Sequence, residues 1–194
     1  MVSLAGTCQY SYVWLGMTKR LTQEDWLRFA LKALSKQGHT KLSANALATK
    51  LGVSRGSFYW HFQSLDDFHE LLLKRWADIT TDRVIEDLSE VGSSKQRLLS
   101  LIQRSMSGDA KLERAIRSWA ISNKKVARYV HAVDARRIDY VEQLLLEEGV
   151  DRKDVRPRSQ ILYWAGIGRI LSTHLDEVSL TNADYDRFAD LLMT

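Results

Sequence analysis

The chain has 194 residues, a formal net charge of +4 with its histidines neutral, one cysteine and one proline. That length suffices for a sizeable core in one or two small domains. One cysteine excludes an internal disulfide and a multi-cysteine zinc site and fits a reducing cytoplasm, and no apolar run approaches the roughly 20 residues that a membrane span requires.

A single proline and an abundance of Leu, Ala, Lys, Arg and Glu predict an all-α chain. The charge is unevenly spread. Residues 19–63 carry eight basic and two acidic side chains, a net +6, whereas residues 64–194 carry 20 basic and 22 acidic ones. A basic N-terminal third is often only a solvated face, but it is also what contact with phosphates requires. Residues 1–20 are apolar and aromatic yet lack the basic start and long apolar stretch of a signal peptide; they are expected to be a loosely held extension or the product of an upstream start codon. Residues 22–37 predict the first helix. Thr22 caps it, Glu24 and Asp25 favour its positive end, Trp26, Phe29, Ala30, Ala33 and Leu34 form one apolar stripe, and Gly38 stops it.

Residues 42–62 are the most informative stretch. Ser43 is a predicted N-cap, Ala46, Leu47 and Leu51 recur at helical spacing, and Ala48 is small enough for a close helix crossing. Gly52 supplies the positive φ that ends such a helix, Val53 fills the corner, and Ser54 caps a second helix. Phe58 and Phe62 lie on its buried side, which leaves Arg55, Ser57, Tyr59, Trp60 and His61 mostly outward. Plain helical packing is one account of this pattern. A short helix with polar and aromatic groups outward also suits the major groove of DNA.

The run Gly52-Val53-Ser54-Arg55-Gly56-Ser57-Phe58-Tyr59-Trp60-His61-Phe62 resembles the signature of TetR-family transcriptional regulators, Gly-Val-Ser-Lys/Arg-Gly-Thr/Ser-Leu/Phe-Tyr-x-His/Tyr-Phe. The resemblance implies an N-terminal three-helix DNA-binding domain and a C-terminal helical domain for ligand binding and dimerisation. Residues 21–66 and 67–194 are the expected divisions after the extension at 1–20. Arg55, Ser57 and Trp60 are expected to face bases. Lys41, Ser43, Ser54, Tyr59 and His61 are expected to meet phosphate, and Gly56 belongs to the same surface. The family usually has Lys just after the residue that caps the next helix; here that position is Leu65, which removes one expected phosphate contact.

Ser64 caps a helix expected to run to about Leu88, with Phe68, Leu71, Leu72, Trp76 and Ile79 inward. Residues 91–94 break the chain. Helices follow at 95–106, 112–122 and 125–148; Ile116, Trp119 and Ala120 are inward in the second, and Gly149 closes the third. Residues 151–158 are expected to be a charged loop around Pro157. Residues 159–175 are a strongly apolar helix, and 182–193 the last. Gly166 and Gly168 sit within a helix with no strand before them, so they do not form a nucleotide fingerprint. An apolar helix of this kind is either buried or paired with another chain. Ile161, Trp164, Ala165, Gly168, Leu171 and Leu175, with Tyr185, Phe188 and Leu192, are the expected interface of a homodimer, and the resemblance implies the same.

TetR-like regulators commonly bind a small molecule between the helices of the second domain. Leu98, Ile102, Met106, Trp119, Tyr129, Tyr140 and Tyr163 are the candidates here for a small apolar or aromatic effector, each with core packing as the plainer account. His131, Asp134 and Asp139 lack a third metal ligand at informative spacing. No nucleophile motif appears, so no catalytic residue, metal or cofactor is expected. The expected function is sequence-specific binding of a palindromic operator on double-stranded DNA by a cytoplasmic repressor, released by its ligand. The alternative is a ligand-independent DNA-binding protein in chromosome organisation or cell division.

Overall fold

The computed structural model describes residues 21–172 and 180–194. The expected extension at 1–20 and the expected interface residue Leu175 lie outside them. Ten α-helices make up the described chain: α1 (Gln23–Gln37), α2 (Ala44–Leu51), α3 (Arg55–Tyr59), α4 (Leu65–Ala77), α5 (Arg83–Ser89), α6 (Ser94–Ser107), α7 (Lys111–Ser122), α8 (Lys124–Glu147), α9 (Arg152–Leu171) and α10 (Asn182–Met193). Their starts are fixed locally. Thr22 and Asp25 form a reciprocal capping box at α1, Ser93 and Gln96 at α6, and Thr181 and Asp184 at α10, so two orphan donors are satisfied at each. Gly38, Gly52 and Gly149 take φ values of 76°, 69° and 83° where helices stop.

The helices enclose two apolar cores. The first joins Trp26, Leu34, Leu47, Phe58, Phe62, Phe68 and Trp76 to Ile116 and Trp119 of α7 and to Val126, Val130 and Val133 of α8. The N-terminal helices are therefore seated on α7 and α8 by shared packing, and that core crosses the expected division at 66/67. The second core joins α6, the far half of α8, α9 and α10 through Leu98, Ile102, Leu144, Leu145, Leu162 and Ala189.

Two expectations are corrected. The helix predicted from Ser64 to about Leu88 is broken in register: Asp78–Asp82 forms a π turn between α4 and α5. There the Thr80 hydroxyl donates to the Trp76 carbonyl at 2.8 Å, and the Arg83 N–H reaches back to the Asp78 carbonyl. The charged loop predicted at 151–158 is instead the opening of α9. Asp151 accepts from the Lys153 N–H at 3.1 Å, and the Asp154 N–H reaches the Asp151 carbonyl at 2.8 Å. Pro157 removes a single helical donor near the helix start, and Val155 and Ser159, both buried, hold that turn against the second core.

Candidate nucleic-acid interface, cavity and exposed helix face

The α2–turn–α3 unit follows from its caps. Ser43 accepts from the Ala46 N–H at 3.2 Å, and the Val53 N–H closes the turn onto the Ala48 carbonyl at 3.0 Å. Ser54 then caps α3 by accepting from Ser57 N–H at 3.4 Å. Phe58 and Phe62 are buried with centroids 4.8 Å apart, and Trp26 and Phe68 meet them edge-on. These aromatic contacts fix how α3 is rolled about its axis, and hence which side chains point away.

Arg55, Gly56, Tyr59 and Trp60 are exposed, while Ser57 and His61 are half-buried. Arg55 Nη2 donates to the Tyr59 hydroxyl at 3.2 Å and its guanidinium lies 5.5 Å from that ring, so the two are held together. Gln23 donates to the His61 carbonyl at 2.9 Å and ties the end of this unit to α1, a contact invisible in the sequence pattern. Trp60 is 78% exposed, an unusual state for so large an apolar side chain. At Gly56 a Cβ would meet only the Ser54 hydroxyl, at an ordinary 3.6 Å. Among the described residues nothing requires glycine there. Lys41 is exposed in the short turn before α2. Leu65 is exposed at the start of α4 beside Asp66 and Asp67, and the Gln63 N–H donates to Asp67 at 2.9 Å.

A cavity of about 310 Å³ opens between the π turn and α5 to α9. Ile102, Tyr140 and Tyr163 of the expected set line it. The other four are elsewhere: Leu98 and Met106 pack in the second core, Trp119 in the first, and Tyr129 lines a separate cleft with Lys74, Asp82 and Arg136. Trp119 stacks on His39 and meets the half-buried His69 edge-on, so it joins α7 to the N-terminal helices. Burial lowers the pKa of His69.

At one end of the cavity is a group of paired charges that the sequence analysis missed. Glu113, buried, accepts from Arg117 Nη2 at 2.7 Å, Arg137 Nη1 at 2.9 Å and Trp76 Nε1 at 3.1 Å. Arg117 also forks onto Asp134 at 3.0 and 2.8 Å and donates to the Tyr163 hydroxyl at 3.0 Å. Arg137 reaches Thr81 and Thr80 of the π turn at 2.8 and 3.0 Å. Burial alone pushes the Glu113 carboxyl upward, but Arg137 and Arg117 more than reverse this and hold it below its ordinary value. Burial and the hydrogen bond to Asp134 push the Tyr163 hydroxyl far above the usual tyrosine range. The only signals in the sequence were Glu113/Arg117 and Asp134/Arg137 at helical spacing, which read as ordinary surface pairs.

On α9, Ile161 (56% exposed), Trp164 (62%) and Leu171 (53%) form an outward apolar stripe with the exposed small residues Ala165 and Gly168. Tyr185 and Phe188 of α10 are half-buried against the second core. Leu192 is corrected: it is buried inside that core, and its neighbour Leu191 is the exposed side chain, because α10 turns Ala189 and Leu192 inward. Among the described residues no group of three or more His, Cys, Asp or Glu is placed to hold a metal, and no helix is long and apolar enough to cross a membrane.

Comparison with known proteins agrees with this architecture. Residues 27–70 match the family model of bacterial regulatory proteins, tetR family. A stretch of 78 residues is 35% identical to an uncharacterised HTH-type transcriptional regulator of Mycobacterium tuberculosis; it covers 40% of this chain and 34% of that relative, so the chain spans about a third of it. The fold is shared with a TetR transcriptional regulator from Legionella pneumophila (18% identity, TM-score 0.73, 92% of this chain and 100% of that one). It is shared also with FadR from Bacillus subtilis, solved in complex with stearoyl-CoA (18%, 0.67, 89% and 98%). A third likeness is a regulator described as putative from Saccharomonospora viridis, solved in complex with choline (15%, 0.70, 88% and 94%). At these identities the solved structures speak for the fold alone. The capped turn and the aromatic pair lie on the helices that the family model matches, and the all-α fold agrees: residues 27–70 form a helix-turn-helix of the kind found in the tetR family of bacterial regulatory proteins.

Proposed function

We propose that the protein is a homodimeric, sequence-specific DNA-binding repressor, acting in the cytoplasm, whose grip on DNA is released by a small molecule in the cavity. The observation that carries this is the outward set at α3, in which Arg55, Gly56 and Tyr59 are exposed and Ser57 and His61 are half-buried. In this reading residues 21–66 bind DNA, with Arg55, Ser57 and Trp60 over bases and Lys41, Ser43, Ser54, Tyr59 and His61 at phosphates. Gly56 lets the phosphate backbone approach closely. Residues 67–194 hold the effector and the partner chain. The α9 stripe supports dimerisation, since an apolar face of this kind is seldom left in water.

The cavity favours this reading over a ligand-independent organiser of the chromosome, which needs none. Solved relatives of the same fold bind stearoyl-CoA and choline, which supports an effector site without naming the effector. Titratable groups do converge at the cavity, as an enzyme's would, but they are spent on one another, which fits a structural role better than proton transfer. A ligand acts only through its different affinity for two states. The charge cluster ties the cavity to the π turn below α4, which gives such a difference a route to the DNA-binding helices.

Two variants test the DNA surface. Lys41→Gln should weaken binding to all duplexes alike and reduce the salt slope by about one. An unchanged slope, measured by anisotropy across a salt series, removes Lys41 from the phosphate set. Gly56→Ala should leave the thermal midpoint equal or higher, because Ala restricts the unfolded chain, while duplex affinity falls by about tenfold or more. Equal affinity would remove the close approach. Capture of genomic DNA on the native protein separates the two functions: one or two sharp peaks support the repressor, and dozens of moderate peaks the organiser.

A further inference from the structure

On the reading of the cavity as an effector site, we propose that its ligand is an amphipathic carboxylate, with the apolar chain inside and the carboxylate at the rim on Arg169. The walls are Val84, Ile85, Leu101, Ile102, Leu112 and Ile167, which offer a flexible hydrocarbon chain contact and no hydrogen bonds. The polar end is closed to a charged head. Glu113 and Asp134 balance Arg117 and Arg137, and both carboxylates are held by those arginines. An ion entering there breaks a buried pair or stays uncompensated, and both are costly. The charge of the ligand therefore belongs at the other end.

That end lies where α6 stops, α7 begins and α9 passes. Half-buried Arg169 donates through Nε to the Ser105 carbonyl at 3.0 Å and through Nη2 to the Gly108 carbonyl at 2.7 Å. These bonds cap α6 and fix the guanidinium, and among the described residues Nη1 has no acceptor and Arg169 no carboxylate partner. The nearby carboxylate, Asp109, is engaged by the Lys111 N–H at 2.9 Å. Arg114 adds a second cation beside the rim, with its Nε on the Ile170 carbonyl at 3.0 Å. A fixed guanidinium with an unused N–H edge at the mouth of an apolar cavity selects a carboxylate head and repels an ammonium one.

The test uses the full chain and three probes with one tail, decanoate, decanol and decyltrimethylammonium, below their micellar concentrations in isothermal titration calorimetry. Decanoate is expected to bind about tenfold tighter than decanol, and the ammonium weakest. Arg169→Gln should bring decanoate to the level of decanol and leave decanol unchanged, Arg169→Lys should restore part of the preference, and Leu112→Trp, which fills the cavity, should abolish binding of all three. Retained decanol affinity shows that the Arg169→Gln protein is folded. Equal affinities for decanoate and decanol in the native protein overturn the proposal. So does tightest binding of the ammonium, or a preference that survives Arg169→Gln. Absence of binding by every probe overturns it and the effector site together. Decanoate binding without any change in DNA affinity leaves the ligand class standing and removes its role as effector.

Discussion

In the proposed homodimer, replacing Trp164 with Asp should yield monomers in sedimentation velocity, with an unchanged helical spectrum. The side chain is 62% exposed in the single chain, so its own fold loses little. In a two-fold contact each substitution acts twice, because the same face meets itself. Two large aromatic contacts vanish, and two carboxylates are carried into an apolar seam without partners. Together these weaken self-association by more than about a thousandfold. DNA affinity should then fall by roughly 10² to 10⁴, since a monomer loses the second half-site. Leu191→Asp, on α10, tests whether that helix shares the seam. A Trp164→Asp protein that remains dimeric places the contact on another surface and makes the α9 stripe irrelevant to it.

Removing Glu113 should be the most damaging change inside the protomer. Glu113→Ala leaves Arg117 with Asp134 as its one carboxylate, deprives half-buried Arg137 of its nearest carboxylate and orphans Trp76 Nε1. Breaking one side of such a cluster costs about 3–5 kcal/mol. Glu113→Gln, which keeps the shape and one acceptor, should cost less. The effect depends on pH with a definite sign. The carboxyl sits below its ordinary value in the folded protein, so its contribution is complete above the ordinary carboxylate range and disappears as pH falls through the lowered value. Native and Glu113→Ala proteins should therefore differ widely in thermal midpoint at neutral pH and converge in acid. A neutral-pH loss of less than about 1 kcal/mol would mean that the cluster contributes little beyond an exposed pair.

How far the sequence alone carried depends on the range of the signal. Helix starts were legible because Thr22, Ser43, Ser54 and Ser64 act within three residues of themselves, and Gly52 needs only its own φ. The inward and outward sides of α3 were legible for the same reason: Phe58 and Phe62 set the roll. Pro157 misled because a proline one turn inside a helix looks like a break until the cap at Asp151 and the burial of Val155 and Ser159 are known. The π turn at Asp78–Asp82 left no mark in the apolar spacing. It depends on Thr80 and Thr81 meeting a side chain from α8, 57 and 56 residues away in sequence.

The cavity was the least legible part, since Ile102, Tyr140 and Tyr163 differ from Leu98, Met106 and Trp119 only in where the helices cross. At the exposed face of α10 the difference was one residue. Leu191 and Leu192 are equivalent in hydropathy, and only packing against α6 and α8 decides which is buried.

The most direct measurement is a nuclease footprint on DNA captured from the genome, made with the native protein and with Arg55→Ala. The native dimer should protect two half-sites related by a two-fold axis, on one side of the duplex and about 34–36 Å apart or somewhat more. Arg55→Ala should lose preference at defined bases within each half-site while keeping its grip on unrelated duplexes. No protected site on any captured DNA, or the same base preference with Arg55 removed, would contradict the assignment of the exposed face of α3 to the major groove.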